Sequence, residues 1–326
     1  MTSERKLINF GIWSVGKHVE KKIIPMLGSV KTCNLRGMYT RDKIKLKDYS
    51  NKLNFKPFFD KKEFLNDKNI DLIYISSPIG LHYEHCFEAL SAGKHVLCEK
   101  TLVQTKKEAE SLVKIARKSN LALIEAFMYK YHPQFTRIRD IVRSGQLGNI
   151  HSLISQFGIP FQDTKGWRFD PKLGGGSLLD IGTYPISLAL AILEGIPQIS
   201  SCRLNYDNKF NIDLSGSAVL DFQENQRAFL NWGVGLAYRN ELEIWGSDGV
   251  LKSEFIFSKP NNFSAKIVIS GSTGNQQTEY VNSVDSFATM FDQISQNLDS
   301  PECRESQYKD VLNQAECLEK IFSSIK

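Results

Sequence analysis

A short apolar run ends in Ser14-Val15-Gly16-Lys17-His18-Val19, and a helical pattern begins directly behind it. This is where a dinucleotide-binding fingerprint, G-x-G-x-x-G/A, places its glycines. Only the middle glycine is kept, as Gly16, with Ser14 at the first position and Val19 at the third. The middle position is where main chain has to approach a pyrophosphate closely. The helix start behind it offers N–H groups and the positive end of a dipole. Ser14, Val15, Gly16, Lys17 and His18 are therefore candidates for holding phosphates, although a tight strand-to-helix turn with no ligand would read similarly. A second apolar run closes on Thr40-Arg41-Asp42. An acidic residue at such a strand tip accepts the ribose hydroxyls of NAD. Thr40 and Arg41 instead offer a hydroxyl and a cation to the 2′-phosphate of NADP, and a guanidinium can also lie over adenine. NADP is the favoured cofactor, and Asp42 keeps NAD open.

Those turns need a frame. Leu7–Trp13, Asn34–Thr40, Asp71–Ser76, His95–Cys98 and Ala122–Glu125 read as strands. Between them lie helical patterns at Lys17–Leu27, around Phe64–Asn66, at His82–Ala92 and at Lys106–Ser119. Strands alternating with helices of this length predict a parallel, doubly wound sheet of Rossmann type. From about residue 127 the pattern changes. Helices are expected at Tyr131–Ser144 and Ser177–Leu193, with strands at Ile150–Phe157, Ile199–Tyr206, Ser215–Phe222, Gln226–Gly235, Asn240–Gly246, Val250–Phe257, Ala265–Ser270 and Gln277–Val281. That is an α+β domain with an open, mostly antiparallel sheet. The tail, Ser283–Leu298 and Glu305–Ile325, is helical. The expected division is 1–126, 127–300, and a C-terminal helix 301–326 returning to the first domain.

Composition narrows the function. The 326 residues suit two domains, and 41% hydrophobic with 24% charged residues is ordinary for a globular chain. The net charge of +5 is spread out, with only short clusters at Lys43–Lys47 and Lys61–Lys62, so no nucleic acid partner is expected. No apolar run is expected to reach the ~18 residues of a membrane span, and MTSERKLINF lacks the marks of a signal peptide. The six cysteines, Cys33, Cys86, Cys98, Cys202, Cys303 and Cys317, form no CxxC, which argues against zinc and against a disulfide framework. Free buried thiols in a reducing cytoplasm are the expectation, with no metal.

Three stretches carry more specific information: Ser77-Pro78-Ile79-Gly80-Leu81-His82 leading through Gly93-Lys94-His95-Val96-Leu97-Cys98-Glu99-Lys100; Glu125-Ala126-Phe127-Met128-Tyr129-Lys130-Tyr131-His132-Pro133-Gln134; and Gly166-Trp167-Arg168-Phe169-Asp170-Pro171 followed by Gly174-Gly175-Gly176-Ser177-Leu178-Leu179-Asp180-Ile181-Gly182-Thr183-Tyr184-Pro185. Together they resemble the glucose-fructose oxidoreductase / inositol dehydrogenase (Gfo/Idh/MocA) family, most of all its branch with dimeric dihydrodiol dehydrogenase and sugar-acting members. The resemblance implies an NAD(P)-dependent oxidoreductase acting on a CH–OH or carbonyl group of a sugar, polyol or dihydrodiol. It implies cofactor contacts at Ser77, Pro78, His82, Glu99, Lys100, Trp167 and Arg168. Substrate contacts are implied at Lys100, Tyr131, Arg168, Asp180 and Tyr184, with Lys100, Tyr184 and Asp180 as the catalytic group. It further implies a homodimer or homotetramer formed through the second-domain sheet.

The implied chemistry is sound. Hydride transfer creates or discharges an alkoxide, so a proton donor has to stand at the oxygen. A free tyrosine titrates near ~10 and a free lysine near ~10.4. A lysine cation beside a phenol favours the phenolate, making Tyr184 the proton donor and Lys100 its electrostatic partner. Asp180 and Tyr184, four apart, are expected on one helix face, and glycines 174–176 are expected to let that helix begin close to a ligand. His82 is expected to fix a loop. His132 reads equally as a substrate contact or as a structural turn. The family's proline after the lysine is Thr101 here, so the Lys100–Thr101 bond is either cis, as the proline bond usually is, or trans with Lys100 aimed elsewhere. Val19 and Ile79 also depart from the pattern. Two alternatives stay open: a redox-neutral enzyme with tightly held cofactor, and a catalytically weakened homologue serving as a regulatory or scaffold subunit.

Overall fold

The computed structural model describes residues 7–161 and 166–325. The leader question raised by residues 1–6 falls outside that part. The chain divides into two compact units, one running to Ala126 and including Phe287–Leu312, the other Phe127–Ser286 with Asn313–Lys326.

The first unit is built on six strands: β1 (Ile8–Trp13), β2 (Cys33–Tyr39), β3 (Lys56–Phe58), β4 (Leu72–Ile75), β5 (His95–Cys98) and β6 (Leu123–Glu125). Their order is β3-β2-β1-β4-β5-β6, all parallel, which is the doubly wound arrangement. Strands covered on both faces read as near-continuous apolar runs, and β4 is buried along its whole length. Helix Lys106–Lys118 starts at a capping box in which Thr105 and Glu108 bond each other's main chain. It buries Ala109, Leu112, Val113 and Ala116. β3 and helix Lys43–Leu53 were not expected. The helix buries only Leu46, so no apolar periodicity marks it, and its lysines read as a solvated charge run. Asp42 is its N-cap, accepting the N–H of Lys45 at 3.0 Å.

Helix Ser286–Asn297 contributes from Phe287 onward to this unit, not to the second domain as the expected boundary at 300 had it. Phe291 packs against Phe10 and Tyr74, and Asp292 accepts the N–H groups of Lys31 and Thr32 at 2.8 and 3.0 Å. The final helix, Pro301–Ser324, is likewise not confined to one domain, since its residues up to Leu312 group with the first unit and the rest with the second. In the first unit, Tyr308 donates to the Leu121 carbonyl at 2.5 Å. In the second, Gln314 donates to the Thr183 carbonyl and hydroxyl at 3.1 and 2.9 Å.

The second unit holds an eight-stranded sheet in the order β14-β13-β12-β11-β7-β10-β9-β8. Its strands are β7 (Ile150–Ile159), β8 (Gln198–Asp207), β9 (Ile212–Asp221), β10 (Arg227–Val234), β11 (Arg239–Gly246), β12 (Gly249–Glu254), β13 (Ala265–Gly271) and β14 (Gln276–Val281). All neighbours are antiparallel except β7 and β10. β12 stops earlier than expected because Phe255 takes a left-handed conformation (φ 53°). The inward residues Leu153, Phe157, Leu230, Trp232, Leu242 and Ile244 are buried. On the other face Ile154, Phe229 and Trp245 are exposed. The helical run Pro171–Leu193 is apolar and long enough for a membrane span, yet 89% of its window is buried inside the protein. It is a core helix, and its Gly182 lies so close to Trp232 that a Cβ there would meet the indole at 2.8 Å.

Candidate active site

The turn Ser14–Val19 lies at the carboxyl end of β1, and the Ser77 loop at that of β4, its neighbour across the point where the strand order reverses. This is where ligands bind in doubly wound sheets. Ser14 takes φ 76°, the left-handed conformation that the fingerprint's first glycine serves, and its N–H bonds the Tyr39 carbonyl at 2.8 Å. A Cβ placed on Gly16 would meet nothing within 4 Å, so the space over it is open. The helix behind it begins with a π turn over Val19–Ile23, in which Val19 is fully buried. Open space over Gly16, ahead of a helix start, fits a pyrophosphate. Thr40 is half-buried and Arg41 exposed at the tip of β2.

Several polar side chains around this edge are committed to one another. His18 Nε2 lies 3.1 Å from both the Tyr74 hydroxyl and Glu99 Oε1, and Tyr74 donates to Glu99 at 2.5 Å. Burial would push the Glu99 carboxyl up, but His18, Tyr74 and Lys100 outweigh it and hold it below the usual value. His82 is 1% exposed, with its ring nitrogens 2.8 Å from the Thr101 carbonyl and 2.7 Å from that of Ser77, so it ties the loop after β4 to the segment after β5. His85 stacks on Trp13 with ring centroids 4.3 Å apart and meets the Ser77 hydroxyl at 2.9 Å. Burial lowers the pKa of His82, and that of His85 to about 4, with His82, Lys61 and Arg41 adding to the latter. Lys100 follows β5 directly and is half-buried, and the Lys100–Thr101 peptide is cis. Glu125 accepts the next N–H, from Leu102, at 2.9 Å.

In the second unit, Tyr184 is 8% exposed among four aromatic rings, those of Phe127, Phe157 and Phe257 at 5.4–5.6 Å and that of Tyr129 at 6.2 Å. Its hydroxyl lies 3.7 Å from Met128 Sδ. Asp180 sits in a π turn, Leu178–Gly182, that runs into helix Thr183–Leu193. Its carboxylate receives Arg168 Nε at 2.5 Å, and the Arg168 guanidinium lies 4.8 Å from the centre of the Trp167 ring. Tyr131 is half-buried at the end of the short turn Met128–Tyr131. His132 is fully buried and caps helix Pro133–Arg143.

The glycines before this helix serve a purpose other than the expected approach to a ligand. A Cβ on Gly175 would come within 2.7–2.9 Å of main-chain atoms of Arg168 and Asp170, and one on Gly176 would collide with the Asp213 carboxylate. They allow close internal packing. Asp213, missed from the sequence, receives the Ser177 hydroxyl at 2.5 Å and the Leu178 N–H at 2.7 Å, so it fixes the start of the segment bearing Asp180 and Tyr184. No local pattern marks it, since its partners are 35 and 36 residues away. His85 could have been found as the residue one helical turn beyond His82.

The sheet order, with open space over Gly16 at its switch point, defines a dinucleotide-binding unit of Rossmann type. Comparison with known proteins agrees. Residues 8–127 match the model of an oxidoreductase family with an NAD-binding Rossmann fold, and residues 135–252 match the GFO/IDH/MocA C-terminal domain. The dTDP-3,4-didehydro-2,6-dideoxy-alpha-D-glucose 3-reductase of Saccharopolyspora spinosa is 31% identical over 81% of this chain and 80% of its own. The trans-1,2-dihydrobenzene-1,2-diol dehydrogenase of Xenopus laevis is 27% identical over 74% of each. The crystal structure of KijD10, a 3-ketoreductase from Actinomadura kijaniata in complex with NADP and TDP-benzene, superposes with a TM-score of 0.92 at 27% identity, covering 98% of both chains. The chain belongs to the GFO/IDH/MocA family of NAD(P)-dependent oxidoreductases.

Proposed function

We propose that this protein uses NADP to interconvert a keto group and a CH–OH group on a sugar, with a nucleotide-linked keto sugar as the favoured substrate. The observation that carries the reading is the shared carboxyl edge of the parallel sheet, where the open turn at Gly16 and Lys100 both emerge. Likeness to dTDP-keto-sugar reductases favours the nucleotide-linked substrate. Arg41 at the tip of β2 suits a 2′-phosphate, and Asp42, engaged as a helix cap, leaves that tip to the cation.

Bound nicotinamide supplies or accepts the hydride. The chain's own residues supply the rest. Tyr184 gives its proton to the oxygen as a ketone becomes an alcohol, and takes one in the reverse direction. The Lys100 ammonium favours the phenolate and donates to the same oxygen. Arg168, held by Asp180, orients the substrate's hydroxyls. The rings around Tyr184 keep water from the proton-transfer path. The test is the loss of NADPH absorbance with dTDP-linked keto sugars, unlinked sugars, polyols and dihydrodiols. Tight NADPH binding with no turnover on any of these would make the protein a cofactor-binding subunit instead.

We also infer a second copy of the chain on the open sheet face, where Ile154 and Phe229 are register neighbours and both exposed. Light scattering giving a monomer at micromolar concentration would refute this.

A further inference from the structure

One charged side chain at the carboxyl edge of the parallel sheet has no part in the chemistry given above. Glu99 follows β5 directly, and its side chain is only 12% exposed. The Tyr74 hydroxyl donates to its Oε1 at 2.5 Å. A hydroxyl has one proton, so the Tyr74 oxygen can only accept from His18 Nε2, which lies 3.1 Å from it and 3.1 Å from Glu99 Oε1. Nε2 therefore carries a proton and donates toward both oxygens. Burial works to raise the Glu99 pKa, and His18, Tyr74 and Lys100 together bring it below the usual value. The result is a mostly buried carboxylate, ionised and fixed by two donors from two other segments of the unit.

Its place in the fold says which part of the cofactor meets that charge. A doubly wound sheet has two mononucleotide-binding halves and takes a dinucleotide across the switch point between them. The strand order puts that point between β1 and β4. Arg41 stands at the tip of β2, in the half that suits an adenosine carrying a 2′-phosphate. The other half, β4 to β6, is left for the nicotinamide. By its position in the turn His18 is a candidate for phosphates, yet its Nε2 reaches Tyr74 on β4 and Glu99 after β5. Its imidazole is 36% exposed, two residues on from the open space over Gly16, and meets the ring of Phe287 at 5.3 Å. The oxidised nicotinamide ring carries a positive charge and the reduced ring carries none. A carboxylate fixed where water screens weakly tells the two apart through that charge alone.

We propose that Glu99, held by Tyr74 and His18, is a redox-discriminating residue of the cofactor site, strengthening the binding of NADP+ relative to NADPH. Tyr74 and His18 are positioning residues. Lys100, next in the chain, opposes the carboxylate, so the two charges act on the balance between oxidised and reduced cofactor from opposite sides. The proposal rests on NADP as the cofactor and is independent of the sugar.

The test is a pair of dissociation constants, for NADPH by its fluorescence on titration and for NADP+ by displacement of bound NADPH. Wild type is compared with Glu99→Gln, which removes the charge and keeps the shape, and with Glu99→Asp, which keeps the charge. Glu99→Gln is expected to weaken NADP+ by about tenfold and to change NADPH by less than about twofold, the scale of one screened charge across several ångströms of protein. Glu99→Asp is expected to keep most of the wild-type preference. An unchanged ratio of the two constants in Glu99→Gln overturns the proposal, even where both forms bind more weakly, since a structural defect acts on both alike. Equal loss of preference in Glu99→Gln and Glu99→Asp also overturns it, because charge would then not be the cause. In either case binding of both forms by wild type leaves the cofactor reading standing. A wild-type protein that binds neither form overturns both.

Discussion

Replacing Asp213 tests how the second unit holds the helix that bears Tyr184. The carboxylate is 6% exposed and receives a hydroxyl and a main-chain N–H, at 2.5 and 2.7 Å. In Asp213→Ala the Ser177 hydroxyl can rotate toward another acceptor, but the Leu178 N–H is fixed by the turn it starts and remains buried. A buried donor without an acceptor costs ~1–3 kcal/mol, and a lost hydrogen bond about 1 kcal/mol more, so the variant should lose about 3 kcal/mol. Asp213→Asn keeps one oxygen and should lose about half of that. The pH dependence has a definite sign. Burial outweighs the donors and raises the Asp213 pKa above its ordinary value of 3.8. A raised folded value means the native state binds the proton more tightly, so this contribution is complete below 3.8 and is lost as pH rises through the folded value. The advantage of wild type over Asp213→Asn should therefore shrink as pH climbs above that point. The assay is urea unfolding followed by tryptophan fluorescence, with Trp232 against Gly182 as a local reporter. A loss below about 1 kcal/mol in Asp213→Ala would refute the reasoning.

Tyr184→Phe keeps the ring packing and removes the proton donor, so kcat should fall by ~10²–10⁴ while stability changes by less than about 1 kcal/mol; wild-type kcat would remove Tyr184 from the mechanism. Arg41→Ala should weaken NADP by about tenfold to a hundredfold and leave NAD nearly unchanged, read by fluorescence titration; equal losses for both would show that Arg41 ignores the 2′-phosphate. His85 and His132 have folded values near about 4, below the ordinary 6.5, so their contribution to stability is present above 6.5 and lost as pH falls toward 4. Replacing either with a non-titrating residue should flatten the acid limb of the stability curve, and an unaltered limb would count against buried neutral rings. Gly182→Ala should cost ~1–3 kcal/mol in urea, because its Cβ meets the Trp232 indole; a neutral effect would mean that helix and sheet part easily.

The first unit was legible because its strands are buried on both faces and its helices carry strong marks, such as the Thr105 capping box. What escaped was what burial does not mark. Helix Lys43–Leu53 has one buried side chain, and β3 is three residues with a proline in the middle. The boundary near residue 300 failed because the pairing of Asp292 with Lys31 and Thr32 spans some 260 positions. Motif spacing put forward Gly16, Lys100, Asp180 and Tyr184 as candidates, but the contacts that hold their segments remained hidden. Tyr74 reads as an ordinary strand residue, and only the fold shows it joining His18 to Glu99. The glycines at 174–176 were visible while their reason was not, since Asp213 arrives from another strand.

The polar groups at the sheet edge also bear on where the proton comes from. Histidine is the usual donor near neutrality, and three lie close to the cofactor turn. Two of them are held by their neighbours: His82 between the Ser77 and Thr101 carbonyls, and His85, whose pKa burial lowers to about 4, against the Ser77 hydroxyl. The third, His18, is bound to Tyr74 and Glu99, and the Glu99 carboxyl is held ionised by those same partners. Groups committed in this way position main chain rather than exchange protons with a substrate. The proposed reading therefore takes the acid–base residue for the alkoxide from elsewhere, and assigns it to the Tyr184 phenol among its aromatic rings.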